Sequence, residues 1–489
     1  MKEQSNSNKS DKKIGERNKK LDIFLKVTAF VYTVITIIFY ISVIKLNLLP
    51  GIYVTIFTIA EIFFTMAILI GLLKVHKTPK LNLICLVVIL LLSGVYIFVT
   101  KYTLATGNFL DNVFQEVAQT EEYYIIVKKD SKYEKIEDIQ NQNVYLFQVP
   151  DDAKQEVQNK SSVSFKTQNS LTDLGKQLMN SKAKIIFISS VQKSILEEEI
   201  ENFKSDTKVI YTAKHEIKVS KKEEEKESKY SVQNGIFNVY ISGVDTSGNI
   251  SNVARSDANM IASINTKTHE VLITSIPRDY YVTLHSYGAK DKLTHTGIYG
   301  INETVKTAED LLDIDINYYV RVNFTTVIKL VDTLGGIEVN SDYAFTSVIG
   351  GYHFNKGKNY MNGEQALAFS RERQAFASGD SQRVKNQQKV IEAIMKKVLN
   401  SKTLLTKYTN ILDSLKGSFQ TNIKQDEISE LVKGQLNDMS AWTIKTNSLT
   451  GTGANNPTYS MGSQLLYTMV PNATSVTEAK QKIKEIIEK

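Results

Sequence analysis

At 489 residues the chain has room for two or three domains. Its net charge of +7 is spread over many lysines, which does not by itself argue for a nucleic-acid partner. The single cysteine, Cys85, excludes a disulfide framework, so stability must come from packed cores.

Three apolar segments stand in succession near the N-terminus, from about Leu21 to Ile44, Gly51 to Leu73 and Leu81 to Thr100. Each is close to the roughly 20 residues that cross a bilayer as helix. A signal peptide would be one shorter apolar run followed by small residues. Lysine placement orients the spans. Lys2, Lys9, Lys12, Lys13, Arg17, Lys19 and Lys20 precede the first, and three lysines lie in the Lys74 to Lys80 loop against one in Lys45 to Pro50. The expectation is a multi-pass protein of the cell membrane, with the N-terminus cytoplasmic and everything beyond Lys101 extracellular. Glu61, inside the second span, either carries a function or faces the helix bundle or an interface.

Beyond the membrane, short apolar strands alternate with helical segments from about Glu121 to His215. Strands are predicted at 123–127, 144–147 and 184–188, with helices at 135–140, 171–179 and 190–203. This small α/β domain has no Arg and no Gly-rich phosphate loop, so spacing or partner binding suits it better than catalysis. The mixed-charge run within Lys218 to Tyr230 has no apolar face and is expected to be a solvated linker. After it come strands at 237–245, 260–265, 271–276 and 318–322. Helices are predicted at 307–312, 325–334, 363–369 and 381–400, the second stopped by Gly335-Gly336. This alternation predicts a larger α/β domain with a central sheet and helices on both faces. The expected division is a cytoplasmic tail over 1–20, three transmembrane helices over 21–100, a small α/β accessory domain over 101–217, the linker over 218–230 and the large domain over 231–489.

Arginine is scarce, and six of the seven (Arg255, Arg278, Arg321, Arg371, Arg373 and Arg383) fall in that large domain. Only Arg offers a planar fork that grips phosphate or carboxylate with two parallel bonds. Structural ion pairs are the plainer use of such residues. However, Arg278 sits at a strand end, and Asp380 and Arg383 at a helix start, where functional groups and anions collect. Asp245 and Asp257 are hard ligands of the kind Mg²⁺ takes together with phosphate oxygens, although Asp at strand ends also serves turns. Together they suggest a pyrophosphate held by guanidinium groups and a metal.

Val244-Asp245, Asn252 to Asp257, Ser275 to Asp279, Lys292 to His295, Ser370 to Arg373 and Asp380 to Arg383 resemble, in order, the signature blocks of the LytR–CpsA–Psr family. The three-span anchor and the inserted small domain look like the capsule-locus branch of that family in encapsulated streptococci. The resemblance implies a phosphotransferase that moves a glycopolymer, capsular polysaccharide in that branch, from undecaprenyl pyrophosphate to peptidoglycan through a phosphodiester. Arg255, Arg278, Arg371, Arg373 and Arg383 would bind the pyrophosphate, with Gln387 as a further head-group contact. Asp245 and Asp257 would hold Mg²⁺, or Mn²⁺ in its place. Asp380 would activate the acceptor hydroxyl or orient an Arg. Arg321 matches no block and is expected to be structural. Val239, Ile241, Ile261, Leu272 and Ile328 are candidates for lining a polyprenyl pocket or, more simply, for core packing. The implied partners are the lipid-linked polysaccharide, peptidoglycan, the membrane and other capsule-assembly proteins. Two other readings stay open: a polyprenyl-pyrophosphate phosphatase, with water as acceptor, and a membrane-bound regulator. The second has only a short lysine-rich tail and one loop on the cytoplasmic side, which argues against direct nucleic-acid contact.

Overall fold

The computed structural model describes residues 2–46, 51–73, 79–113, 119–217, 230–244, 250, 254–377, 379–399, 410–411, 414–415, 419–438 and 440–489. The expected linker over 218–229, residues 47–50 and 74–78 of the two interhelical loops, and Asp245 lie outside the described residues. The chain forms two compact units, Met1–Asn112 with Gln425–Met439, and Val113–Lys424 with Ser440–Lys489.

In the first unit, α1 (Lys2–Leu46), α2 (Gly51–Leu73) and α3 (Pro79–Val113) contain three segments long and apolar enough to cross a membrane: Lys20–Lys45, Gly51–Leu72 and Asn82–Leu104. Phe30, Phe63 and Leu90 point outward, whereas Tyr32, Phe39, Leu72 and Ile89 are buried between the helices. Glu61 faces the bundle, where the Tyr96 hydroxyl donates to its two carboxylate oxygens at 2.7 and 2.9 Å. A carboxylate in so apolar a place needs such donors.

The second unit begins with a five-stranded sheet of order β3-β2-β4-β1-β5. Its strands are β1 (Gln119–Lys128), β2 (Asn143–Leu146), β3 (Ser164–Thr167), β4 (Ile185–Ser189) and β5 (Thr207–Ile217). Helices α4 (Asp151–Gln158), α5 (Leu171–Met179), α6 (Ser190–Glu199) and α7 (Phe203–Asp206) accompany them. The expected helix at 135–140 is a single 3₁₀ turn, Ile136–Ile139. The one expected to reach Phe203 stops at Glu199, because Ile200 is extended and Asn202 is left-handed at φ 61°. Strands β3 and β5 lie at the two edges and carry alternating polar residues, so neither shows as an apolar run.

The larger sheet has the order β16-β11-β6-β7-β8-β17. It is built from β6 (Ile236–Val244), β7 (Ser256–Asn265), β8 (Glu270–Ile276), β11 (Tyr318–Asn323), β16 (Phe419–Thr421) and β17 (Thr443–Ser448). Around it lie the short strands β9 (Tyr281–Thr283), β10 (Lys290–Lys292), β12 (Ile337–Ser341), β13 (Phe345–Thr346), β14 (His353–Phe354) and β15 (Gly357–Met361). A long hairpin, β18 (Gly451–Thr458) and β19 (Gly462–Pro471), precedes the last helix, Ala473–Ile487.

Helices cover both faces of the sheet, as expected. On one, α8 (Ile301–Leu312) and the last helix bury Ala308, Leu312, Ile483 and Ile486 against Tyr240, Ile261, Leu272 and Ile276. On the other, α9 (Phe324–Leu334), α10 (Gly363–Arg371) and α11 (Asp380–Leu399) form a second core with Val339, Phe345 and Phe354. Gln388 fixes α11 to the sheet by donating to the carbonyls of Ile273, at 2.9 Å, and Asn447, at 2.7 Å. The five apolar pocket candidates do not share one face. Tyr240 pairs with Ile261, and Asn238 with Ser263, which faces Leu272; Val239 and Ile241 therefore point to the opposite side of the pleat. Ile261 and Leu272 are ordinary core.

The two α/β parts of this unit share packing. Met461 and Leu466 of the hairpin lie in the core of the small domain with Leu171, Leu174, Ile186 and Leu196.

Candidate active site

Strand pairing creates the site. Val244 pairs with Ser256, Asn259 with Ile276, and Asn323 with Val244. So β6, β8 and β11 end at the same sheet edge at which β7 begins. Asp257, the second residue of β7, and Arg278, two residues past β8, are thereby delivered to one place. Beneath them the Ser242 and Ser256 hydroxyls bond at 2.7 Å, and Ser256 and Tyr240 both donate to Asn259 Oδ1 at 2.7 Å. The 3₁₀ turn Leu293–Tyr299 closes over this edge. At Gly297 an added Cβ would stand 2.5 Å from the Ala254 carbonyl oxygen, so only glycine allows the approach.

Arg278 is the hub. Its Nη1 donates to Asp257 Oδ1 at 3.2 Å, and its Nε stands 3.6 Å from Asp279 and 3.9 Å from Asp380. Thr294 Oγ1 donates to the same Asp257 oxygen at 3.0 Å, and Lys292 pairs with Asp279 at 3.2 Å. Asp380 opens α11, and Arg383, in its first turn, forms an ion pair with it. Arg255 is gripped by both carboxylate oxygens of Glu198, from α6 of the small domain, at 2.8 and 2.9 Å. Burial pushes the Asp257 carboxyl up, but Arg278, Arg255 and Arg383 hold it below the usual range. Burial pulls Arg278 down, and Asp257, Asp279 and Asp380 more than restore it. Arg383 is lowered by burial and by Arg278.

Despite these pairings, several buried donors have no hydrogen-bond partner among the described residues: Arg278 Nε, and Arg383 Nε and Nη2. Asp380 Oδ1 is likewise without one, since its ion pairs lack hydrogen-bond geometry. A buried guanidinium donor left open is costly unless something fills it. A multi-oxygen anion would do so.

Of the residues singled out from the sequence, Arg255, Asp257, Arg278, Asp380 and Arg383 are brought together. Arg371 ends α10 with its guanidinium 4.1 Å over the ring of Phe324, the residue after β11 at the same edge. Arg373 is exposed on the following loop, near enough to Arg383 to help lower it. Gln387 is half-buried, one turn beyond Arg383 on α11. Arg321 is buried in the sheet and donates to the Ile250 carbonyl at 2.8 Å, away from the hub. Sequence reasoning did not assign roles to Asp279, Lys292 and Thr294, although all three lie inside the quoted blocks. It missed Glu198, whose one signal is its position in the acidic run Glu197-Glu198-Glu199 at the wrong end of a helix.

The model of the family described as LytR_cpsA_psr matches residues 204–483, which carry this whole arginine cluster. The chain belongs to the LytR_cpsA_psr family. It is 36% identical over 184 residues to a polyisoprenyl-teichoic acid–peptidoglycan teichoic acid transferase TagU of Bacillus mycoides, a match covering 37% of this chain and 60% of that one. The TagU of Enterococcus faecalis is 35% identical over 221 residues, covering 44% and 71%. Hence the chain spans only about three fifths of the Bacillus mycoides relative's length. Among solved structures, TagU of B. subtilis superposes with a TM-score of 0.41 at 32% identity, over 52% of this chain and 97% of that chain. Within this LytR_cpsA_psr chain, Glu198 precedes the matched segment.

Proposed function

We propose that this protein is a phosphotransferase that moves a glycopolymer, capsular polysaccharide, from undecaprenyl pyrophosphate to peptidoglycan at the outer face of the cell membrane. The observation that carries this reading is the pair of buried guanidinium donors without a hydrogen-bond partner, Arg278 Nε and Arg383 Nε, at one sheet edge. Family membership and the three apolar helices support it, since a lipid-linked substrate requires an enzyme held at the membrane. The tail over 1–20 is then cytoplasmic, and the accessory and catalytic domains, 101–217 and 231–489, are extracellular.

Phosphoryl transfer asks the protein for positioning and charge neutralisation more than for a strong nucleophile. In this scheme Arg278, Arg383 and Arg255 bind the two phosphates, with Arg371, Arg373 and Gln387 around them. The acceptor hydroxyl oxygen bonds to the phosphorus that carries the glycan. The bond from that phosphorus to the bridging oxygen breaks, and the lipid leaves as its monophosphate, taking up the proton that the acceptor hydroxyl gives up. Asp380 is paired with Arg383 and so is assigned to orienting it. Asp257 suits a divalent cation, because it stays ionised and its Oδ1 is taken by Arg278 and Thr294, leaving Oδ2. Bound there with Asp245, Mg²⁺ or Mn²⁺ would draw charge from the phosphate oxygens.

Arg278→Lys keeps the charge and loses the fork. It is expected to cut polymer attachment by about 100-fold or more, the usual cost of a lost transition-state donor, with membrane insertion and melting unchanged. Product analysis on a lipid-linked saccharide, with and without peptidoglycan, checks the reaction. Free phosphorylated glycan in both arms would mean a phosphatase instead.

A further inference from the structure

The Arg255 subsite is already filled by a group from the same chain. Both terminal nitrogens of Arg255 are bonded to the two oxygens of Glu198, the parallel geometry in which a guanidinium also holds phosphate. The Arg255 side chain is 8% exposed, whereas that of Glu198 is 42% exposed. The receptor is therefore fixed in the wall, and its occupant stands at the mouth.

Glu198 is there for Arg255 rather than for its own helix. Helix α6 is anchored by a Ser189–Gln192 capping box and by the buried Ile195 and Leu196. A carboxylate near its C-terminus faces the negative end of the helix dipole, where it is unfavourable. Its neighbour Glu197 is paired along the helix with Lys193; Glu198 reaches across to the other domain instead. Burial raises the Glu198 carboxyl, but Arg255 and Arg278 bring it below the ordinary range, so it is charged at neutral pH.

We propose that Glu198 is an internal competitor that distinguishes a two-phosphate ligand from a one-phosphate ligand. This rests on the reading that Arg255 takes a substrate phosphate. A single phosphate can use the open donors of Arg278 and Arg383 without disturbing Glu198. A pyrophosphate must also reach Arg255, and to do so it evicts the carboxylate. Substrate binding therefore breaks the small domain's contact with the site, and the lipid monophosphate product lets it re-form.

The test is calorimetric binding of inorganic pyrophosphate and inorganic phosphate to the full chain in detergent, at one fixed Mg²⁺ concentration. Glu198→Gln keeps the shape and removes the competing charge. Pyrophosphate should bind about tenfold more tightly, as expected for a lost charge-assisted bond, while phosphate affinity should stay within about twofold. Equal tightening of both ligands would mean a diffuse field effect, and unchanged or weaker pyrophosphate binding would mean that Glu198 merely positions Arg255. Either result overturns the proposal. Arg278→Lys separates the two claims: if it leaves pyrophosphate binding intact, the clamp itself is wrong and Glu198 has nothing to compete for. If it abolishes binding while Glu198→Gln does nothing, only the competitor fails.

Discussion

Two buried arginines on the same sheet have opposite surroundings. Arg321 lies within β11, where burial pulls it down to about 10 and a backbone carbonyl accepts from it. Arg278 lies at the sheet edge among three carboxylates, which hold its charge firmly, and its Nε still lacks a hydrogen-bond partner. The first environment tolerates a cation as a way of tying a loop to a strand. The second concentrates charge and leaves one buried donor without a hydrogen-bond partner, the environment that the proposed phosphate ligand would complete. Burial alone thus does not separate the arginine read as structural from the one proposed to bind substrate; what the donors meet does.

The contrast can be broken in graded ways. The largest effect is expected at Arg278, where the Lys substitution should remove attachment and leave melting unchanged; a large drop in melting temperature with residual activity would erase the distinction. Next is Gly297→Ala, whose Cβ would push into the Ala254 carbonyl and shift Arg255 and Asp257 together. It should lower both activity and stability, the latter by about 1–3 kcal/mol as overpacking does, as read by denaturant unfolding and attachment assays side by side. Arg321→Met should do the reverse of Arg278→Lys. Leaving the Ile250 carbonyl unpaired should cost about 1–3 kcal/mol, with attachment per folded molecule unchanged. The smallest effect belongs to the far end of β8, where Lys445 and Lys489 hold the Glu270 carboxyl down at about 2. Because that value is lowered, its stabilisation is full above the ordinary Glu range near 4.5 and fades as pH falls towards 2. Glu270→Gln should therefore lower stability by under about 1 kcal/mol at neutral pH, with the gap closing in acid melts.

The sequence made the hub legible because its members sit at element ends with strong local signals. Asp257 and Arg278 flank apolar β strands, and Asp380 and Arg383 open an amphipathic helix. Arg321 was recognisable as the outsider because it matches none of the family's blocks, and the structure places it inside a strand. Other parts depended on three-dimensional placement. Glu198 acts 57 residues away from Arg255 in sequence, from a helix of the small domain. Asp279 and Thr294 were visible as letters, but their partners follow from how the 3₁₀ turn folds back over the edge. The apolar candidates were divided by the pleat, since a change of one position along β6, from Val239 to Tyr240, changes the face. In the small domain, β3 and β5 escaped notice because edge strands need no continuous apolar run.

The hairpin has a practical consequence for anyone engineering this protein. Its strands belong by sequence to the larger α/β domain, yet Met461 and Leu466 are seated among Leu171, Leu174 and Leu196 of the small one. A fragment trimmed to begin at 231 would expose both side chains to water, forfeiting about 1.5–3 kcal/mol for each and creating a sticky apolar spot. Expression designs that retain the segment from Gln119 onward, or that replace both residues with polar ones, should yield the more soluble protein.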